Sequence, residues 1–339
     1  MRTFRQAASW LAATLIAASA GPAAAAKLPA LGGDPARVSV SGLSSGGFMA
    51  LQYAVAFSAS TVGVGVVSGG PYDCASVTPG GINGCMQGAP RGADSLSAAQ
   101  AFARIGQVDP VAGLKSQKVY LYRGTHDPIV SRATMDAVRD FFALAGAPPR
   151  NVQYVNALPA GHAFVSVNFG AACDHSETPF VDRCAKDGAP YDQPGAILAQ
   201  IYGPLKPRAA ALSAAPVAFG QGEFAGGLAG LAKTGFVYVP AACARTAARC
   251  AVHVVFHGCG QSAKLAKDAV YGRVGYNEWA EANGIIVLYP QVDPSFFLPL
   301  NPEGCWDWWG ATGLNFMTKS GPQAAAVHAM VARLVAPRR

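Results

Sequence analysis

Apolar positions in this chain fall into two alternating textures. Short runs rich in β-branched residues predict strands at 37–41, 61–67 (TVGVGVV), 118–124 (KVYLYRG) and 151–157 (NVQYVNA). The same texture returns at 235–240 (GFVYVP), 251–258 (AVHVVFHG) and 284–290 (GIIVLYP). Between them, Ala-rich stretches with helical spacing predict helices at 46–58, 94–105, 131–145, 192–201, 264–282 and 322–335. Near-continuous apolar strands alternating with helices are the pattern of a mostly parallel sheet covered on both faces, an α/β fold. No internal repeat is visible. Residues 203–234, rich in Pro, Ala and Gly, read as a connection between two portions of one sheet, so one domain over 27–339 is the expectation.

The first 26 residues stand outside that pattern: Arg2 and Arg5 precede an apolar core (ASWLAATLIAASA) and a small-residue end (PAAAA) before Lys27. This is the layout of a secretory signal peptide, with an apolar run too short to span a bilayer. Cleavage near Ala26 leaves about 313 residues and lowers the formal net charge from +7 to +5. Such a mild, unclustered excess carries no nucleic-acid footprint. No second long apolar stretch calls for a membrane, and the expectation is a soluble monomer in the medium or the periplasm. The eight cysteines fit that compartment, falling as Cys74/Cys85, Cys173/Cys184, Cys243/Cys250 and the wider Cys259/Cys305. An even count in a secreted chain reads as disulfides; pairing by proximity is a guess, since spacing does not fix connectivity. A metal site is the rival use, but no Cys-x-x-Cys occurs and no His sits at ligand spacing, so neither metal nor cofactor is expected.

Candidate chemistry begins at RVSVSGLSSGGFMALQYA, residues 37–54, a strand, a tight turn and a helix. GLSSG, Gly42 to Gly46, matches G-x-S-x-G with Ser44 at its centre, the nucleophile elbow in which flanking glycines keep strand and helix from colliding. The plainer alternative is a Gly/Ser turn in which Ser44 merely caps the helix. A serine nucleophile needs a base, and the base an orienting carboxylate, in the order Ser, acid, His. GTHDPIV after the third strand supplies Asp127, and PAGHAF after the fourth supplies His162, both beyond strand carboxyl ends where functional groups gather. His126, adjacent to Asp127, is a rival base whose ring is expected to point away; Asp109, Asp136 and Asp140 read as turn or solvated helix residues. VVFHGCGQ, 254–261, is a strand ending in His-Gly, like the loop that supplies the second oxyanion donor in esterases. There His257 would hold the loop and the Cys259 N–H, with that of Ser45, would face the oxyanion. NPEGCWDWWG, 301–310, sets Trp306, Trp308 and Trp309 in Pro-rich surroundings, which favours a binding loop over simple core.

The oxyanion loop lies far downstream of the elbow, whereas an ordinary α/β-hydrolase has it upstream. A circular permutation resolves this, the C-terminal half supplying the strands that normally come first. Taken together, SVSGLSSGGFMA, GGPYDCA, GTHDPIV, GHAF, FHGCGQ and NPEGCWDWWG resemble the extracellular poly(3-hydroxybutyrate) depolymerases, in the single-domain, circularly permuted α/β-hydrolase group. The resemblance spans nearly the whole chain after residue 26. It implies a serine esterase acting on the polyester or its oligomers, with Ser44, Asp127 and His162 as triad and Ser45 and Cys259 as oxyanion donors. One tryptophan of the 306–309 cluster would line the substrate crevice. The expectation is that no Ser/Thr-rich linker or polymer-binding module follows and that attack on solid polymer uses the catalytic domain's own apolar surface. Feruloyl and acetylxylan esterases share the same loop type, and a surface-binding protein with a decayed site is a further alternative.

Overall fold

The computed structural model describes residues 26–245, 249–298 and 300–338; the signal peptide read at 1–26 lies outside them except for Ala26. Eight strands form the central sheet: β1 Val38–Leu43, β2 Thr61–Val67, β3 Lys118–Tyr122, β4 Val152–Val155, β5 Val217–Gly220, β6 Thr234–Tyr238, β7 Ala251–Phe256 and β8 Ile285–Tyr289. Their spatial order is β5-β6-β8-β7-β1-β2-β3-β4. β6 runs antiparallel to both neighbours, and every pairing from β8 across to β4 is parallel. The first four strands therefore build one half of the sheet and the last four the other, joined where β1 pairs with β7.

Helices α1 Ser45–Ala56, α2 Gly92–Arg104, α3 Arg132–Leu144, α4 Gln193–Tyr202, α5 Tyr276–Asn283 and α6 Pro322–Val335 cover both faces. Side chains alternate across each strand, and two cores result. Val40, Val64, Val66, Val254 and Leu288 pack with Met49 and Tyr53 of α1, Phe141 of α3 and Val327 of α6. On the opposite face Val67, Tyr120, Val255 and Tyr289 pack with Ile197 and Leu198 of α4 and Ala280 of α5. That second face also holds a sealed polar network. His253 contacts the Ser39 hydroxyl at 2.7 Å through Nδ1 and the Ser41 hydroxyl at 2.8 Å through Nε2, and Tyr202 and Tyr276 complete it. Ser39, Ser41 and His253 have no exposed surface, and burial lowers the His253 pKa to about 3. A neutral imidazole holding two hydroxyls inside a core satisfies buried polar groups; it offers no route to a substrate.

Two departures from the sequence expectation have local causes. The helix expected over 264–282 is broken: Lys267 and Gly275 adopt φ 54° and 119°, leaving short helical pieces at Ala263–Ala266 and Ala269–Arg273 before the helix Tyr276–Asn283. Edge strand β5 is four residues long with Val217 and Ala218 exposed, so it carries no alternating apolar signature. The two ends of the described chain lie together: the Gly32 N–H donates to Ala336 O at 2.9 Å, and those of Leu31 and Gly33 to Leu334 O. Disulfides join Cys74–Cys85, Cys173–Cys184, Cys243–Cys250 and Cys259–Cys305. Among the described residues, no helix is long and apolar enough to cross a membrane.

Candidate active site

β1 delivers Ser44 at its carboxyl end, and the backbone there turns sharply into α1 with Ser44 at φ 57°, ψ −124°. A non-glycine residue in that region stores of order 1–3 kcal/mol of strain, so the surroundings must hold it. The Ser44 N–H donates to Val67 O at 2.9 Å, and its carbonyl accepts from the Phe48 N–H at 3.0 Å. Glycine is demanded at both ends of the turn: a Cβ on Gly42 would sit 2.3 Å from Gly46 O, and one on Gly46 2.4 Å from Phe256 O and His257 O. Ser44 is half-buried; Ser45 is buried and its hydroxyl accepts from the Trp306 N–H at 3.3 Å.

The acid and histidine loops are zipped together. Thr125 N–H donates to Leu158 O at 2.8 Å and His126 N–H to Ala160 O at 3.1 Å, while a Cβ on Gly124 would lie 2.0 Å from Ala160 O. Arg123 braces the acid loop by donating to the carbonyls of Gly124, Asp127 and Val130. In consequence His162 Nδ1 lies 3.1 and 3.0 Å from the two Asp127 carboxylate oxygens. Burial pushes the Asp127 pKa up, but the His162 hydrogen bond and charge and the Val130 N–H outweigh it, leaving the carboxyl below its ordinary value. His162 is braced from behind by the excursion closed by Cys173–Cys184, whose Ser176 hydroxyl accepts from the His162 N–H at 2.8 Å. His126 is exposed. Asp136 and Asp140 pair with Arg139 on α3, and Asp109 pairs with Lys319.

Ser44 and His162 line one cavity of about 120 Å³ together with Phe48, Met86, Phe180, Cys259 and Trp308. They form no hydrogen bond to each other in this structure; apo sites commonly close that distance only around substrate. His257 Nε2 accepts from the Val292 N–H at 3.1 Å and Nδ1 contacts Gly258 O at 2.8 Å. Burial lowers the His257 pKa to about 4, so the ring is neutral, with its proton on Nδ1 where a carbonyl needs a donor. In a trans peptide C=O and N–H point opposite ways, so fixing the Gly258 carbonyl aims the Cys259 N–H. Neither the Ser45 nor the Cys259 N–H has a backbone acceptor among the described residues.

The tryptophan cluster divides. Trp306 is fully buried between Phe256 and His257, which removes it from the substrate-binding set expected from sequence. Trp308 stacks on Phe48 with ring centroids 4.1 Å apart and forms the cavity wall, and half-buried Trp309 packs edge-on against it at 5.8 Å. What holds this loop is Asp307, which sequence reading passed over between two conspicuous aromatics. Its Oδ1 accepts from the N–H groups of Trp309, Gly310 and Ala311, and its Oδ2 from the Thr312 N–H and hydroxyl. Phe180, also unforeseen, meets His162 edge-on at 6.3 Å. Just upstream a hairpin closed by Ser295 and Asn301 exposes Phe296, Phe297 and Leu298 by 74, 85 and 92%. Among the described residues no group of three His, Cys, Asp or Glu is arranged to hold a metal ion.

No family model matches the chain. Among curated proteins it is 41% identical over 318 residues to a poly(3-hydroxybutyrate) depolymerase of Delftia acidovorans, covering 92% of this chain and 62% of that one. A polyhydroxybutyrate depolymerase of Talaromyces funiculosus is 38% identical over 342 residues, covering 95% of this chain and 96% of that protein. Among solved structures, the PHB depolymerase from Penicillium funiculosum superposes with a TM-score of 0.85 at 35% identity, over 92% of this chain and all of that one. A serine-to-alanine variant of PHB depolymerase complexed with an R3HB trimer matches equally well.

Proposed function

The chain belongs to the polyhydroxybutyrate depolymerase family, and from that membership we propose that it hydrolyses the ester bonds of poly(3-hydroxybutyrate) or its oligomers through a Ser44–His162–Asp127 triad. One observation carries the assignment: a serine held at positive φ after a central strand shares an apolar cavity with a histidine whose other nitrogen faces a buried carboxylate. His162 takes the Ser44 proton as the hydroxyl attacks the ester carbonyl, and Asp127 steadies the imidazolium that forms. The oxyanion is received by the N–H groups of Ser45 and Cys259. His162 then protonates the departing 3-hydroxyl, and water, deprotonated by the same ring, releases the acyl group from Ser44. Trp308 and Phe48 supply a flat apolar wall for the methyl-bearing repeat.

The topology supports a circular permutation, since the oxyanion strand β7 sits beside the elbow strand β1 and residues 32 and 336 are hydrogen-bonded neighbours. Four disulfides support action outside the cytoplasm. The test is Ser44→Ala with the purified protein on an R3HB trimer, an amorphous polymer suspension and a feruloyl ester. The wild type should cleave the first two and bind a fluorophosphonate covalently; Ser44→Ala should lose both properties. Retained cleavage in Ser44→Ala, or preference for the feruloyl ester, overturns the proposal.

A further inference from the structure

Gln261 belongs to neither the triad nor the expected oxyanion pair, yet its side chain stands between them. It is 1% exposed, and its amide oxygen accepts from the Gly258 N–H at 2.7 Å. Its amide nitrogen donates to Pro179 O at 2.7 Å and Phe180 O at 3.0 Å. Its own N–H donates to Gly258 O at 3.2 Å. Gly258 is therefore gripped at both its N–H and its carbonyl, and the carbonyl belongs to the same peptide plane as the Cys259 N–H. The other end of the bridge is the segment whose Phe180 ring meets His162 and lines the cavity. A Cβ on Gly260 would lie 3.1 Å from the Phe180 ring, so the two loops are already close.

We propose that Gln261 is a positioning residue that sets the Cys259 oxyanion donor in register with the His162–Phe180 side of the cavity, by joining the β7–Cys259 loop to the Pro179–Phe180 segment. The proposal rests on the serine-esterase reading above. The amide is suited to this work because it offers an acceptor to one loop and a two-proton donor to the other. A carboxylate keeps the first and turns the second into repulsion between oxygens. A misplacement of about 1 Å costs up to ~100-fold in rate, and loss of an oxyanion donor costs ~100–1,000-fold.

The test is Gln261→Glu in the mature protein, with Gln261→Met as a second variant that removes both bonds at similar length. Active sites are first counted with a fluorophosphonate, so that misfolded molecules do not enter the rate. Per titrated site, kcat on a soluble R3HB oligomer should fall about 10–100-fold while KM stays within about threefold. Affinity for an alkylboronic acid, whose tetrahedral adduct occupies the oxyanion position, should fall by a similar factor. The Gln261→Glu to wild-type rate ratio should recover in part as pH is lowered, because a protonated carboxyl again presents one O–H to the Pro179 or the Phe180 carbonyl in place of a repelling oxygen. Gln261→Met keeps His257, Glu303 and His162 but has no carboxyl at this position, and should show no recovery. An unchanged kcat per site, or a deficit in Gln261→Glu that ignores pH, overturns the proposal. Failure of the wild type itself to turn over or to be labelled at Ser44 is a failure of the underlying reading, and is seen before any variant is compared.

Discussion

Asp307→Asn isolates the residue on which the aromatic wall depends. The carboxylate receives five donors from four consecutive residues while being only 2% exposed. Asparagine can keep its oxygen toward Trp309, Gly310 and Ala311, but places an amide N–H against the Thr312 N–H and hydroxyl. The hydroxyl can rotate and accept; the half-buried backbone N–H has no such freedom and is left facing another donor, at ~1–3 kcal/mol. The three bonds to Oδ1 also lose their charge assistance, which roughly halves each, offset in part by relief from burying a charge. The expected destabilisation is about 2–3 kcal/mol, read as a shift in urea midpoint at unchanged slope. Thr312→Val, which removes only the hydroxyl donor, should cost about 1 kcal/mol. Because Trp308 sits inside this nest, KM for an R3HB oligomer should rise several-fold in Asp307→Asn while kcat per titrated site holds. A loss under ~0.5 kcal/mol with unaltered KM refutes the claim that this carboxylate holds the wall.

Acid stability should report the Asp127–His162 contact. A carboxyl held below its ordinary value stabilises the fold above the unfolded value of about 3.9 and loses that contribution as pH falls through its lower folded value. The stability gap between wild type and Asp127→Asn, measured by urea unfolding, should therefore shrink as pH drops from about 5 toward 3; a constant gap refutes the assignment. The exposed hairpin gives a prediction of another kind. Phe297→Ser with Leu298→Ser should leave turnover of a soluble oligomer unchanged and slow erosion of a polymer film, since both side chains face solvent; equal rates on the film refute a role in surface attack.

The fold and the residues proposed to react were legible in the sequence because both leave local marks. A G-x-S-x-G turn needs its glycines in place, and an acid and a base at successive strand ends are visible as short loops. Gly42, Gly46, Asp127 and His162 could thus be named from spacing. The supporting residues could not, because what defines them is which distant segment they touch. Gln261 matters through Pro179 and Phe180, Asp307 through a nest closed by its own following residues, and nothing in either residue type announces this. Which tryptophan lines the cavity was not legible for the mirror reason. Three tryptophans in four residues look alike in sequence, and only packing separates the one wedged against His257 from the one facing Ser44. Strand β5 escaped because an exposed four-residue edge carries too little pattern to register.

The junction of β1 with β7 also has a meaning in time. Val38 pairs with Val252, so a central strand made early must wait for some two hundred residues of synthesis before its second neighbour exists. Until then β1 is an unpaired apolar edge, the kind of surface that invites association with other chains, and its closure is a slow, long-range event. Ser44, Asp127 and His162 all lie on the early side of that junction and Cys259 on the late side. An incompletely closed molecule would carry the three groups of the proposed triad and lack one proposed oxyanion donor, so on that proposal the onset of turnover during refolding serves as a clock for the final joining of the sheet.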